Sequence, residues 1–144
     1  MGMYTGLRAR VKIKEKYRGD IQKLHDERSW EDTNIPNIDG WLAFGRNRFI
    51  PFGITAYMPE EFDEPFEERE DEYGKVTGGT KFDGEWWTFS CALKNYEGEI
   101  QFFIEFIMSE IIEEVDYCES FYEEGEYPLD CIKYFGDMNE QKTS

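Results

Sequence analysis

A chain of 144 residues with 32 acidic and 16 basic side chains, net −16, has room for one domain, and its charge opposes an unaided grip on nucleic acid or an anionic membrane. Its hydrophobic fraction of 40%, with 17% aromatic residues, excludes a disordered acidic tail, because Phe, Tyr and Trp bury large areas. The charge is uneven: residues 1–50 hold 10 basic and 7 acidic side chains and residues 51–144 hold 6 basic and 25 acidic, so the natural complement is a basic partner.

The first element in chain order is a strand over residues 7–14. Leu7, Ala9, Val11 and Ile13 fall on one face, and Arg8, Arg10, Lys12 and Lys14 on the other. If acidic segments lie beside this basic face, part of the charge asymmetry cancels internally. Tyr17, Ile21 and Leu24 then recur at helical spacing, predicting a short helix over residues 15–25 that tolerates Gly19. Asn34, Pro36, Asn37, Asp39, Gly40 and Gly45 punctuate a long connection over residues 32–48, with Trp41, Leu42 and Phe44 tucked onto the core.

A strand is expected over residues 49–58, entered irregularly at Pro51 and ended by Pro59. The acidic stretch 59–72 reads as a surface loop, followed by a turn region over residues 74–84. Residues 85–93 alternate as a central strand with Trp87, Phe89, Cys91 and Leu93 inward. The clearest helix runs from residue 96 or 97 to 114, with an apolar stripe of Ile100, Phe103, Ile104, Ile107, Met108, Ile111, Ile112 and Val115. Its exposed side carries Glu99, Gln101, Glu105, Ser109, Glu113 and Glu114. Asn95 is the expected N-cap, while Glu113 and Glu114 sit at the wrong end of the helix dipole. Residues 117–122 and 129–135 flank a hairpin loop around Gly125. The expected architecture is a single α+β domain over residues 1–136, with a mainly antiparallel sheet, two helices on one face and the ferredoxin-like order βαββαβ(β), followed by a frayed tail over 137–144.

Chemistry-bearing motifs are sparse. Cys91, Cys118 and Cys131 are widely spaced and odd in number, and His25 is the one histidine, which supports neither a zinc site nor a disulfide framework and leaves the cysteines as buried reduced thiols. No phosphate-binding glycine loop, zinc-protease helix or EF-hand spacing occurs, and no carboxylate pair stands out among 32. The expectation is a cytoplasmic non-enzyme with no cofactor and no metal.

Three features remain as candidate contact sites. One is the acidic loop with Glu60, Glu61, Phe62, Asp63, Glu64, Phe66, Glu67 and Glu68, which reads equally as partner-binding or as a solvated loop. The second is the carboxylate line Glu105, Glu113, Glu114, Asp116, Glu119, Glu123, Glu124 and Glu126, at spacings near those of successive phosphates, or else a charged exposed face. The third is Trp86, either a second core contact or an exposed anchor. All these carboxylates are expected to be exposed, so reversing Glu113, Glu114, Glu123 and Glu124 to Lys should leave the fold intact.

The segments Tyr4-Thr5-Gly6-Leu7, Arg48-Phe49-Ile50-Pro51-Phe52-Gly53, Tyr57-Met58-Pro59, Trp87-Thr88-Phe89, Leu93-Lys94-Asn95-Tyr96-Glu97-Gly98-Glu99-Ile100 and Phe121-Tyr122-Glu123-Glu124 resemble small uncharacterised proteins of Gram-positive bacteria and their phages. That resemblance spans most of the chain and implies origin, with no catalytic residue to transfer. In composition the chain also resembles acidic phage-encoded anti-defence proteins, some of which mimic nucleic acid. The leading expectation is an inhibitor that occupies a basic nucleic-acid-binding or catalytic surface of a host nuclease or other defence effector, without binding nucleic acid or a membrane itself. The alternatives are an immunity-type protein that neutralises a cognate toxin, and a small ligand-binding domain with its pocket between the loop around Trp41 and the sheet.

Overall fold

A computed structural model describes residues 4–53, 79–95, 97–122 and 129–131, and over these the chain is α+β. Strand β1, Thr5–Ile13, buries Leu7, Ala9, Val11 and Ile13 completely, as its alternation requires. A 3-10 turn, Glu15–Tyr17, leads into α1, Arg18–Glu27, whose stripe of Tyr17, Ile21 and Leu24 enters the core while Gly19 stays exposed.

The following connection is pinned from inside. The Trp30 indole N–H donates to the Ile50 carbonyl at 2.7 Å, and the Thr33 hydroxyl donates to the Trp30 carbonyl at 2.7 Å. A helical turn, α2 (Ile38–Leu42), buries Trp41. The expected strand at residue 49 is replaced at its start by a kinked turn, α3 (Phe49–Phe52), in which Ile50 and Pro51 depart from helical geometry. Two ladder positions are lost there: Pro51 has no N–H to give, and the Ile50 carbonyl is already taken by Trp30. The rest of that predicted strand, residues 54–58, and the acidic stretch 59–72 lie outside the described residues.

The turn expected over 74–84 gives way to a strand, β2 (Gly79–Phe82), paired antiparallel with β3 (Trp86–Leu93). Residues 74–78 of that region lie outside the described residues, and a tight turn falls at Asp83, Gly84 and Glu85. The Asp83 carboxylate accepts the backbone N–H groups of Glu85 and Trp86 at 2.9 and 2.7 Å, and Gly84 takes a positive φ of 100° that a β-carbon disfavours.

A helical segment over residues 99–111 follows, made of α4 (Glu99–Phe102), a π-helical turn (Phe103–Met108) and α5 (Ser109–Ile111). Two sequence expectations are corrected here. The N-cap residue is Gly98 at φ 79°, although Asn95 still serves the helix end by accepting the Ile100 N–H through its side-chain oxygen at 2.9 Å. The helix stops at Ile111 rather than 114, because Ile112 opens β4 (Ile112–Tyr122) in register with Ile13, and the Ile111 carbonyl accepts the Lys14 N–H. Ending there removes Glu113 and Glu114 from the negative end of the helix dipole. β5 (Leu129–Asp130) pairs antiparallel with β4.

The sheet order is β2-β3-β1-β4-β5, and every neighbouring pair is antiparallel. Both α1 and the 99–111 segment share one core cluster with the inward residues of β1 and β3. At its centre Trp30 meets Trp41, Trp87 and Phe103 at ring separations of 6.2, 6.1 and 5.8 Å, edge to face. The opposite face of the sheet, which holds Arg8, Arg10 and Lys12, is left to polar and charged side chains over most of its length.

Candidate functional site

The basic face of β1 is answered by its neighbours. Arg8 donates from Nε and Nη2 to one Glu119 oxygen, at 3.3 and 3.0 Å. Arg10 reaches Asp116 at 3.3 Å and lies over the Trp86 ring at 4.3 Å. Lys12 pairs with Glu85 at 3.1 Å and Glu113 at 3.5 Å, and Glu113 also meets Arg18 at 3.8 Å. Two register shifts between β1 and β4, after Arg10 and after Lys12, turn Asp116 and Glu113 toward these cations. Hydrogen bonding to Glu85, followed by the field of Glu113, raises the Lys12 pKa above its ordinary value. The internal cancellation anticipated from the charge asymmetry therefore operates on this face. Trp86, Glu113, Asp116 and Glu119, read from the sequence as partner-binding residues, sit together here and are engaged by the chain itself.

Other carboxylates stay open. Glu105, Glu110 and Glu114 are exposed and form no ion pair among the described residues. Between them in sequence is Phe106, 45% exposed, with its ring 4.8 Å from that of Phe102, which in turn lies 5.1 Å from Phe44. Behind these, Trp41 stacks on Phe102 at 6.1 Å and 10°, and its buried indole N–H has no hydrogen-bond partner among the described residues. The Asn37 side-chain amide donates to the Phe106 carbonyl at 2.9 Å, tying α2 to the π-helical turn. Sequence reading missed this aromatic ridge. Its signal was present: Phe102 and Phe106, four apart, are out of phase with the apolar stripe through Phe103 and Ile107.

Glu99, placed on the exposed side from the sequence, is 0% exposed. Its carboxylate accepts from Arg46 at 3.3 Å and from the Glu97 backbone N–H at 2.9 Å, which offsets the cost of burying it. Glu60, Glu61, Phe62, Asp63, Glu64, Phe66, Glu67, Glu68, Glu123, Glu124 and Glu126 lie outside the described residues.

The one histidine is enclosed by rings. Phe52, Phe82 and Trp87 stand 6.2 to 6.3 Å from His25. Its Nδ1 lies 2.8 Å from the Ile21 carbonyl, which can only accept, so Nε2 of the neutral ring accepts the Thr80 hydroxyl at 2.7 Å. Thr80 in turn accepts the Trp87 indole N–H at 2.8 Å. Cys91, Cys118 and Cys131 are all buried, and the Cys91 thiol is turned to the Leu7 carbonyl at 3.6 Å. The His25 ring is held by a backbone carbonyl and a threonine. No described helix is long and apolar enough to cross a membrane.

Comparison with protein-family models, with curated proteins and with solved structures finds no match.

Proposed function

We propose that this chain is a non-enzymatic binding protein that covers a basic surface of another protein. The supporting observation is how its charge is distributed over the fold. The cations of β1 are occupied by Glu85, Glu113, Asp116 and Glu119, while Glu105, Glu110 and Glu114 remain exposed and, among the described residues, unpaired, and the ring of Phe106 is also exposed. Long-range attraction from a net charge of −16 speeds encounter with a cationic surface, and an aromatic anchor supplies contact energy once the surfaces meet.

A narrower form of this reading, suggested by the acidic composition shared with phage-encoded anti-defence proteins, is an inhibitor of a host nuclease or related effector, acting in the cytoplasm. An immunity protein facing a toxin would work by the same physics. We also propose that the fold is ferredoxin-like in detail, since the order β2-β3-β1-β4 with antiparallel neighbours is the one that arrangement requires.

The test is a binding assay of the purified chain against purified basic nucleases of a candidate host, at low and high salt, with nuclease activity as a second readout. Retention at low salt that weakens as salt rises, with loss of nuclease activity, is the expected result. If no basic protein is retained or inhibited at either salt concentration, the proposal is wrong.

A further inference from the structure

We infer that the chain also carries a site for a small organic anion, one carboxylate or phosphate on a flat apolar body, in the cleft where the connection after α2 meets the end of β3. The cleft has a volume of about 350 Å³, within the range that ligand sites occupy, and is lined by Tyr4, Arg46, Phe49, Gly53 and residues 92–94. In a chain with twice as many acids as bases, two cations line this hollow and, among the described residues, no carboxylate does.

The site is built rather than merely open. Arg46 is one-third exposed and is held from behind by the fully buried Glu99, whose second oxygen is fixed by the Glu97 N–H. An anchored guanidinium loses little freedom on meeting an anion, and its fork suits carboxylate and phosphate oxygens. Lys94 lies across the Tyr4 ring with its ammonium 5.7 Å from the centroid, and among the described residues it has no ion-pair partner. Gly53 lets the connection close onto the sheet, since a β-carbon there would collide with the Ala92 carbonyl oxygen and crowd Phe49. The rings of Tyr4 and Phe49 provide flat apolar contact beside the two cations, which is why the ligand class is an organic anion and not a bare inorganic one. None of these residues belongs to the open carboxylates or to the ion-paired face of the sheet.

The experiment titrates the isotope-labelled full chain with benzoate, phenyl phosphate, inorganic phosphate and neutral benzamide, following amide resonances. Saturable shifts centred on Tyr4, Gly53, Leu93 and Lys94 are expected with benzoate or phenyl phosphate at concentrations up to about 10 mM. Lys94→Gln should weaken that binding about tenfold while leaving the melting temperature unchanged, because among the described residues the Lys94 ammonium meets the Tyr4 ring alone. Arg46→Lys offers a second variant that keeps a charge against Glu99 but loses the fork. The inference is overturned if no organic anion shifts these resonances, if shifts centre elsewhere, or if Lys94→Gln binds as tightly as the parent. Equal binding of benzamide overturns the anionic part, and equal binding of inorganic phosphate overturns the apolar part.

Discussion

Thr80 serves two ring systems with one oxygen, accepting from the Trp87 indole and donating to His25. Thr80→Val keeps the shape and removes the hydroxyl that both rings use in a nearly closed setting, so urea denaturation should show a loss of about 2 kcal/mol, with Thr80→Ser recovering most of it. Glu113 is a case where exposure and independence part company. Its side chain is 51% exposed, yet it meets both Lys12 and Arg18. Glu113→Lys therefore faces two cations and should cost about 1 kcal/mol, whereas Glu114→Lys should stay within about 0.5 kcal/mol of the parent. The sequence made the exposure of both residues legible. The partnership of Glu113 was not, because it depends on where β4 begins and on two bulges that only the β1–β4 register reveals.

Among the elements, the strands that read clearly were those in which one physical signal acted alone. In β1 the alternation of apolar and basic residues has no competing helical period, and the structure follows it. Residues 111–115 carry both signals: Ile111, Ile112 and Val115 continue the helical stripe, while Ile112 also fits a strand beside Ile13, and tertiary pairing settles the conflict. The hairpin β2–β3 was hidden by the glycines around it, although Asp83-Gly84 is itself a hairpin signal. Gly84→Ala forces a β-carbon into φ 100° and should destabilise the protein by about 1 kcal/mol in thermal melts. The N–H of Trp86, more than any other group, holds the Asp83 carboxyl below its ordinary pKa of 3.8. The folded state thus favours the ionised form, so the advantage of the parent over Asp83→Asn should be full above that pH and shrink as pH falls through the lowered folded value. Lys12 has the opposite sign: its raised pKa gives a contribution that is full below about 10.5 and disappears as pH rises through the folded value, visible as a narrowing gap between the parent and Lys12→Met in alkaline melts.

Over the whole molecule, a net charge of −16 is a field that no pairwise listing of contacts displays. Exposed ion pairs contribute little each, so screening should relieve more repulsion than it removes attraction, and the melting temperature should rise by a few degrees between about 0.05 and 0.5 M NaCl. The same salt should weaken binding to a basic partner, and Glu105→Lys, Glu110→Lys and Glu114→Lys together should reduce low-salt affinity about tenfold or more without unfolding the chain. Net charge and its sign were plain from composition. Which carboxylates stay available was not, because that depends on strand neighbours far apart in the chain. This separation has a consequence during synthesis. β1 is made early, yet the Leu7 carbonyl waits for Cys91, 84 residues later, and Arg8 waits for Glu119, 111 residues later. At about 5–20 residues per second the ribosome needs several seconds or more to deliver those partners. Through that interval Arg8, Arg10 and Lys12 are without the carboxylates that answer them in the folded chain, so the newborn segment is locally cationic before the finished molecule becomes strongly anionic.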